Sequence, residues 1–429
     1  MKRVLLTGLV FWAAACASSP AMRAAESGDR AALKSAVDQR EKSASLSNRE
    51  AAALALTVAN REVRDATGPA APDRVHDVWS CAHELDDALA ERMRTHDDAG
   101  AEAALARVDG RGLDVDALRE YLGDPAPLWR AAGTRSLVRQ EDHAARLQAL
   151  LDPDPHVRRQ AARAARDATD PNDLEPLAEA ARVDPEPLVR PEAVRAIAAL
   201  TPLPNDDAAN ALRDLWPAGD DGLREDIALA WAAPAVWDAG GREALRIIVA
   251  SEHGAGAVEA AAAVLRHKDA SEEVAASALA QMVRAIEQGA PSTRQQAIAQ
   301  APLERAELLA AVKKAAEGDD DDVRVAALAR LVGLPARGGA TVQQLEAFAQ
   351  PGSPLSRRAR FALASAGDRS VQAWLEQDLT SERAFDRLSA ATGLASLDAS
   401  ARAAPLLADV DPSVRARAAC TLLMAARSR

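Results

Sequence analysis

LLDPDPHVRRQAARAA, residues 150–165, contains the end of one helix and the start of the next. Asp152-Pro153 stops a helix, because the residue before a proline is pushed out of the α region. Asp154-Pro155 starts another: the carboxylate accepts a backbone N–H at the N-cap, and the N–H that proline lacks is not needed in the first turn. Variants of the phrase surround it: DPAPLWR at 124–130, DPEPLVR at 184–190 and DPSVR at 411–415. GDDDDVR, 318–324, uses Asp320 or Asp321 without the proline. A corner phrase that returns roughly every thirty residues predicts antiparallel helix pairs stacked along the chain.

The register is set by the residue before the corner arginine, usually apolar: Trp129, Val157, Val189, Leu223, Ala257, Thr293, Val323, Leu355, Asp386 and Val414. Four residues on stand mostly small side chains, Gly133, Ala161, Ala193, Ala261, Ala297, Ala327, Ala359, Ala390 and Ala418, with Ile227 the exception. Eight residues on come mostly larger ones, such as Leu137, Ile197, Trp231, Leu265 and Leu422. Positions i, i+4 and i+8 share one helical face, so each unit has an inward stripe with a small residue at its middle. An amphipathic helix precedes each corner, among them HAARLQALL at 143–151 and RAELLAAVKKAA at 305–316. The spacing predicts about ten helix pairs from near Gly112 onward.

These units resemble HEAT repeats of the short bacterial kind, whose second helix reads Asp-x-x-Val-Arg-x-x-Ala. Arg130, Arg158, Arg190, Arg224, Arg294, Arg324, Arg387 and Arg415 match the family's arginine, whereas Val258 and Ser356 depart from it. The resemblance implies an α-solenoid. It also implies that most of these arginines bridge to an acidic residue or a carbonyl of a neighbouring unit; the alternative is a track for phosphates.

Composition agrees with an all-α chain. The hydrophobic fraction is 48% but aromatics are only 3%, so apolar surface comes mainly from Ala, Leu and Val, and Ala loses no side-chain entropy in a helix. A net charge of −12 repels phosphates and argues against nucleic acid as a partner.

The first residues carry an address. Lys2 and Arg3 precede an apolar run from Val4 to Trp12 that is too short to span a bilayer, and three alanines lead to Cys16. The ending resembles a bacterial lipobox, with Ala13 where leucine is usual. The resemblance implies a signal peptide over 1–15, lipidation of Cys16 and, from Ala17, an outer-membrane destination facing the periplasm. Residues 16–111 are read as a lipidated tether, 17–27, followed by a helical cap over the first repeat, and 112–429 as the solenoid. Within the cap, Ser47 and Glu50 form a capping box, and one long helix is expected from Arg74. Cys81 and Cys420 are expected to stay apart as buried thiols.

Catalytic and metal signatures are weak. His76, Cys81, His83 and Glu84 lack the spacing of a zinc site, and the run Asp319 to Asp322 lacks the glycine and final glutamate of a calcium loop. No G-x-S-x-G, P-loop, G-x-G-x-x-G or C-x-x-C occurs. The expectation is a non-enzymatic scaffold with no cofactor, a protein partner in the cell envelope and a lipid anchor. The rivals are an enzyme-associated role, lyase-like or nucleic-acid-acting, and a structural spacer.

Overall fold

The computed structural model describes residues 19–43, 45–200, 207–334 and 339–427. Among them there are helices and no strands, and the chain divides into two compact units, one of Val115–Leu331 and one that joins Met1–Asp114 to Val332–Arg429. Cys16 and the leader lie outside the described residues.

The N-terminal part of the discontinuous unit holds α1 (Pro20–Ser27), α2 (Arg30–Ser43), α3 (Asn48–Arg64), α4 (Ala71–His76), α5 (Asp86–Met93) and α6 (Asp98–Asp109). The tether read over 17–27 is helical from Pro20: Ser19 caps it, Pro20 opens it, and Ala21, Met22, Ala24 and Ala25 are buried. The capping box at Ser47 and Glu50 is present. The single helix expected from Arg74 is broken instead, with a 3-10 segment over Trp79–Leu85 in which Cys81 leaves helical geometry. Its apolar positions Val75, Val78, Cys81, Leu85 and Leu89 are all buried.

The continuous unit is a run of seven pairs. A 3-10 segment, Val115–Tyr121, precedes α7 (Pro127–Thr134), and α8 (His143–Leu150) precedes α9 (Pro155–Ala168). Then come α10 (Leu174–Val183) with α11 (Val189–Ala199), α12 (Asp207–Leu215) with α13 (Asp221–Trp231), and α14 (Arg242–Ser251) with α15 (Ala255–Arg266). The run closes with α16 (Glu272–Gln288) and α17 (Pro291–Gln300), then α18 (Ala306–Ala316) and α19 (Asp321–Val332). Second helices pack on second helices, and the i, i+4, i+8 stripes lie between them: Val157, Ala161 and Ala165, or Val323, Ala327 and Leu331, are buried. Small residues set the approach. A Cβ on Gly133 would stand 2.4 Å from backbone atoms of Tyr121 and Leu122. Asp154 and Asp320 cap α9 and α19, accepting from His156 N at 2.8 Å and Val323 N at 3.1 Å.

Three further pairs complete the discontinuous unit: α20 (Gly339–Ala349) with α21 (Ser356–Ser365), α22 (Gln372–Asp378) with α23 (Ala384–Ser396), and a 3-10 segment, Ser400–Ala408, with α24 (Pro412–Arg427). Within this unit the N-terminal helices find partners in the last repeat. Helix α3 lies along α24 as one second helix lies along the next, and α2 and α3 cover Ser400–Ala408. Asn48 Oδ1 accepts from Ser400 Oγ at 3.0 Å and Ala401 N at 2.9 Å, and Arg402 reaches Glu41 at 2.7 Å. Cys81 and Cys420, expected to be separate thiols, form a disulfide with Cα atoms 5.3 Å apart. That expectation assumed that distance along the chain meant distance in space; the pairing of α3 with α24 removes the assumption.

Two outcomes follow from this packing. Gly133→Ala is expected to destabilise the protein by about 1–3 kcal/mol through overpacking, read in denaturant unfolding. Reduction, or Cys81→Ser with Cys420→Ser, is expected to cost about 3–5 kcal/mol. In the intact protein neither thiol should react with a thiol reagent in denaturant until a reductant is added.

Candidate functional site

Three of the corner arginines share one bonding scheme. Arg158 Nη1 donates to the carbonyls of Asp152 and Pro153 at 3.0 Å each, in its own corner, while Nε and Nη2 donate to both oxygens of Asp184, in the next corner, at 2.7 and 2.9 Å. Arg130 repeats it with the carbonyls of Asp124 and Pro125 and the carboxylate of Asp152. Arg387 repeats it with Ser381, Glu382 and Asp409. Asp152 therefore ends a helix, anchors Arg130 and accepts from Asp154 N at 2.9 Å.

Arg415 takes the same carbonyls, Asp409 at 2.7 Å and Val410 at 3.2 Å. Its carboxylate is Glu62 of α3, 2.6 Å from Nε. Glu62 is 6% exposed and stands where a next corner aspartate would. Helix α3 is thus placed as the successor of the last repeat.

The other matched arginines bond differently. Arg190 donates to Ala181 O at 3.0 Å and reaches Asp220 at 3.5 Å; Arg224 donates to Trp216 O and Pro217 O and lies over the Trp216 ring. Arg294 donates to Ile286 O, and Arg324 pairs with Asp321 at 2.7 Å. At the departing position Ser356, the role passes one turn along to Arg360, buried, which donates to Ala349 O and to both oxygens of Asp378 at 2.6 Å. Arg360 was missed because the phrase before it, SPLSRRAR, has no acidic corner to mark it. Val258 is buried. Each arginine is thus committed at its own corner, and the eight do not converge on one point.

The second helices of the continuous unit carry a strip of paired charge. Arg135 meets Asp167 at 2.7 Å, and Arg195 meets Asp226 at 2.8 Å. Arg159, Arg166 and Arg195 surround Glu192, and Arg266 holds Glu259 at 2.7 Å. Burial, and then repulsion from Glu259, pushes the Glu225 carboxyl above its ordinary range. The aromatic residues of this unit contribute to its interior: Trp129, Trp231 and Trp237 are fully buried.

Sequence reading also missed a partly buried cluster. His143, Asp170 and Asp173 bring ligand-type atoms within 4.8 Å of one another. The fully buried Arg146 lies among them, 2.6 Å from Asp173 and 3.0 Å from Asp170, and His143 Nδ1 is 2.6 Å from Asp173. The carboxylates are already neutralised by a fixed cation, so a divalent ion there would meet that charge. Of the residues weighed for zinc, His76 pairs with Glu102 at 2.8 Å, Glu84 lies 3.4 Å from Arg427 and Cys81 is in the disulfide.

Against known families, the description of HEAT repeats matches residues 144–232, α8 to α13, where the corners at Asp152 and Asp184 lie. No curated protein matches the chain.

The corners set an acid dependence. The Arg130 hydrogen bond is the largest influence holding the Asp152 carboxyl below the usual carboxylate range. An unfolded aspartate titrates near ~3.9, so this pairing contributes its full stability above that pH and loses it as the pH falls through the lowered folded value. Asp152→Asn is expected to flatten the fall in urea midpoint between pH 6 and pH 3. Arg158→Ala leaves Asp184 buried without its cation and is expected to cost about 3–5 kcal/mol.

Proposed function

We propose that the protein is a lipid-anchored periplasmic scaffold that holds another protein of the cell envelope. It uses its helix pairs as the frame and Cys16 as the membrane anchor. The observation that carries the address is the Cys81–Cys420 disulfide. Disulfides persist in oxidising compartments such as the bacterial periplasm and are rare in the cytosol, and a secretory leader is the route there. Buried acyl chain contributes ~0.8 kcal/mol per CH₂, so a multiply acylated Cys16 holds the protein to one membrane surface.

A scaffold role is supported by what the corners leave uncovered. Leu151 and Val183, each just before its corner aspartate, are 77% and 60% exposed, and Leu188 in the next corner is 58% exposed. These aliphatic side chains at successive corners suit a protein partner, since burying each removes apolar surface from water. The guanidiniums are engaged by carboxylates and carbonyls, and the net charge is −12, which favours protein over nucleic acid. The reading is of a non-enzymatic role, since the sequence carries no G-x-S-x-G, P-loop, G-x-G-x-x-G or C-x-x-C signature. A structural spacer is the second reading, favoured by the self-paired charges of the second helices.

The test is in-cell crosslinking of tagged protein with identification of what co-purifies from membranes. Cys16→Ala and Leu151→Asp with Val183→Asp are compared with wild type. One envelope protein should be enriched with wild type, lost with the paired corner variant, and lost or reduced when the Cys16→Ala protein moves to the soluble fraction. Equal recovery with the corner variant sinks the scaffold surface. A Cys16→Ala protein that stays with membranes sinks the anchor.

A further inference from the structure

The discontinuous unit has a cleft where α1, α2 and α3 meet the last repeat. It is about 180 Å³ in volume, floored by Ala25, Leu33, Val58 and Leu407. Four guanidiniums line it, those of Arg30, Arg61, Arg74 and Arg415, against two carboxylates, Glu62 and Asp65.

The cause is the substitution of Glu62 for a corner aspartate. In a full corner the arginine uses both oxygens of its carboxylate, as Arg158 does with Asp184. Glu62 gives Oε1 to Arg415 at 2.6 Å, but its Oε2 is taken by Arg74 at 3.1 Å. Arg415 Nη2 is left without an acceptor among the described residues. The shortage extends to its neighbours. Arg61 gives Nε to Asp65 and Nη1 to Glu26 O, and its Nη2 has no acceptor among the described residues. Among the described residues, the Arg30 side chain makes one bond, Nη1 to Val410 O at 3.3 Å, and Arg74 Nε is buried without a partner. Gly28 makes room for this arrangement: its φ is +69°, and a Cβ there would sit 1.8 Å from the Arg61 guanidinium carbon.

We propose that this cleft is a binding site for an oxyanion of the phosphate class, which supplies the acceptors that Glu62 and Asp65 do not. Guanidinium forks match phosphate oxygens in geometry as well as charge. An apolar floor strengthens the attraction by excluding water. The phosphate is either free in solution or the headgroup of an anionic lipid. The second source rests on the membrane-anchor reading, since the cleft begins at Ala25, nine residues after Cys16. The first source does not.

The experiment uses the full chain with Cys16→Ser, so that no acyl chain contributes. Inorganic phosphate is titrated calorimetrically, and phosphatidylglycerol vesicles are compared with phosphatidylcholine vesicles by flotation. The expected result is one saturable site for phosphate or selective flotation with phosphatidylglycerol. Either should weaken at least tenfold in Arg30→Gln and in Arg61→Gln, and be unchanged in Arg182→Gln, which removes a charge elsewhere. Phosphate binding without vesicle binding assigns a free anion; vesicle binding without phosphate binding assigns a headgroup. Should Arg61→Gln fail to fold, the exposed Arg30→Gln decides. Binding of neither probe, or equal loss with Arg182→Gln, overturns the site whatever becomes of the anchor.

Discussion

The structure depends on a guanidinium that joins its own corner to the next. Arg158 ties the carbonyls of Asp152 and Pro153 to the carboxylate of Asp184, and so fixes how far each helix pair advances and turns relative to the last. Apolar packing alone would not do this. The stripes between second helices consist of Ala, Val and Leu around small residues, and such smooth surfaces tolerate sliding. A planar fork that must meet two carbonyls and two carboxylate oxygens tolerates little. Partly buried pairs of this kind offset much of their gain by desolvation, so their main contribution is register.

The same contact explains how the two ends of the chain are joined. Glu62 and Arg415 are 353 residues apart in sequence, yet their geometry follows the corner rule apart from the missing second oxygen. Helix α3 needs only to resemble the next second helix in its buried stripe, Ala51, Leu54, Ala55, Val58 and Ala59, and to offer one carboxylate at the right height. The disulfide then covers a separation of 339 residues. Closing so long a loop is entropically costly, and that cost grows only logarithmically with length. A late covalent link is therefore most useful at this junction, where no chain connection holds neighbouring elements together.

What the sequence made legible was local. Caps at Asp154 and Asp320, the box at Ser47 and Glu50, and the i, i+4, i+8 stripes follow from a 3.6-residue period and the chemistry of helix ends, and the structure has them. The joining of the ends was not legible, because nothing in the sequence near Cys81 or Cys420 refers to the other. One signal was present: Glu62 lies within the apolar stripe of α3, and a buried carboxylate in such a stripe demands a cation. The break at Trp79–Leu85 was hidden for a related reason. The apolar spacing through Val75, Val78, Leu85 and Leu89 suits a helix, and the residue that leaves helical geometry is Cys81, which is in the disulfide. Arg360 escaped because the register was fixed by its neighbours' acidic corners, and its own corner has none.

A joint built by imitation need not balance as the repeats do. Each regular corner presents one arginine to one aspartate, and charge and hydrogen bonds close within two adjacent units. At the α3–α24 joint the acceptor comes from mid-helix, on a side chain one carbon longer, and Arg74 claims half of it. Arg61 and Arg30 arrive on elements that have no counterpart in a repeat. Positive charge therefore accumulates at this joint, while the corners of Arg130, Arg158 and Arg387 are closed by an aspartate. In a repeat protein assembled from near-identical contacts, the irregular joint is where ligand chemistry has room to differ.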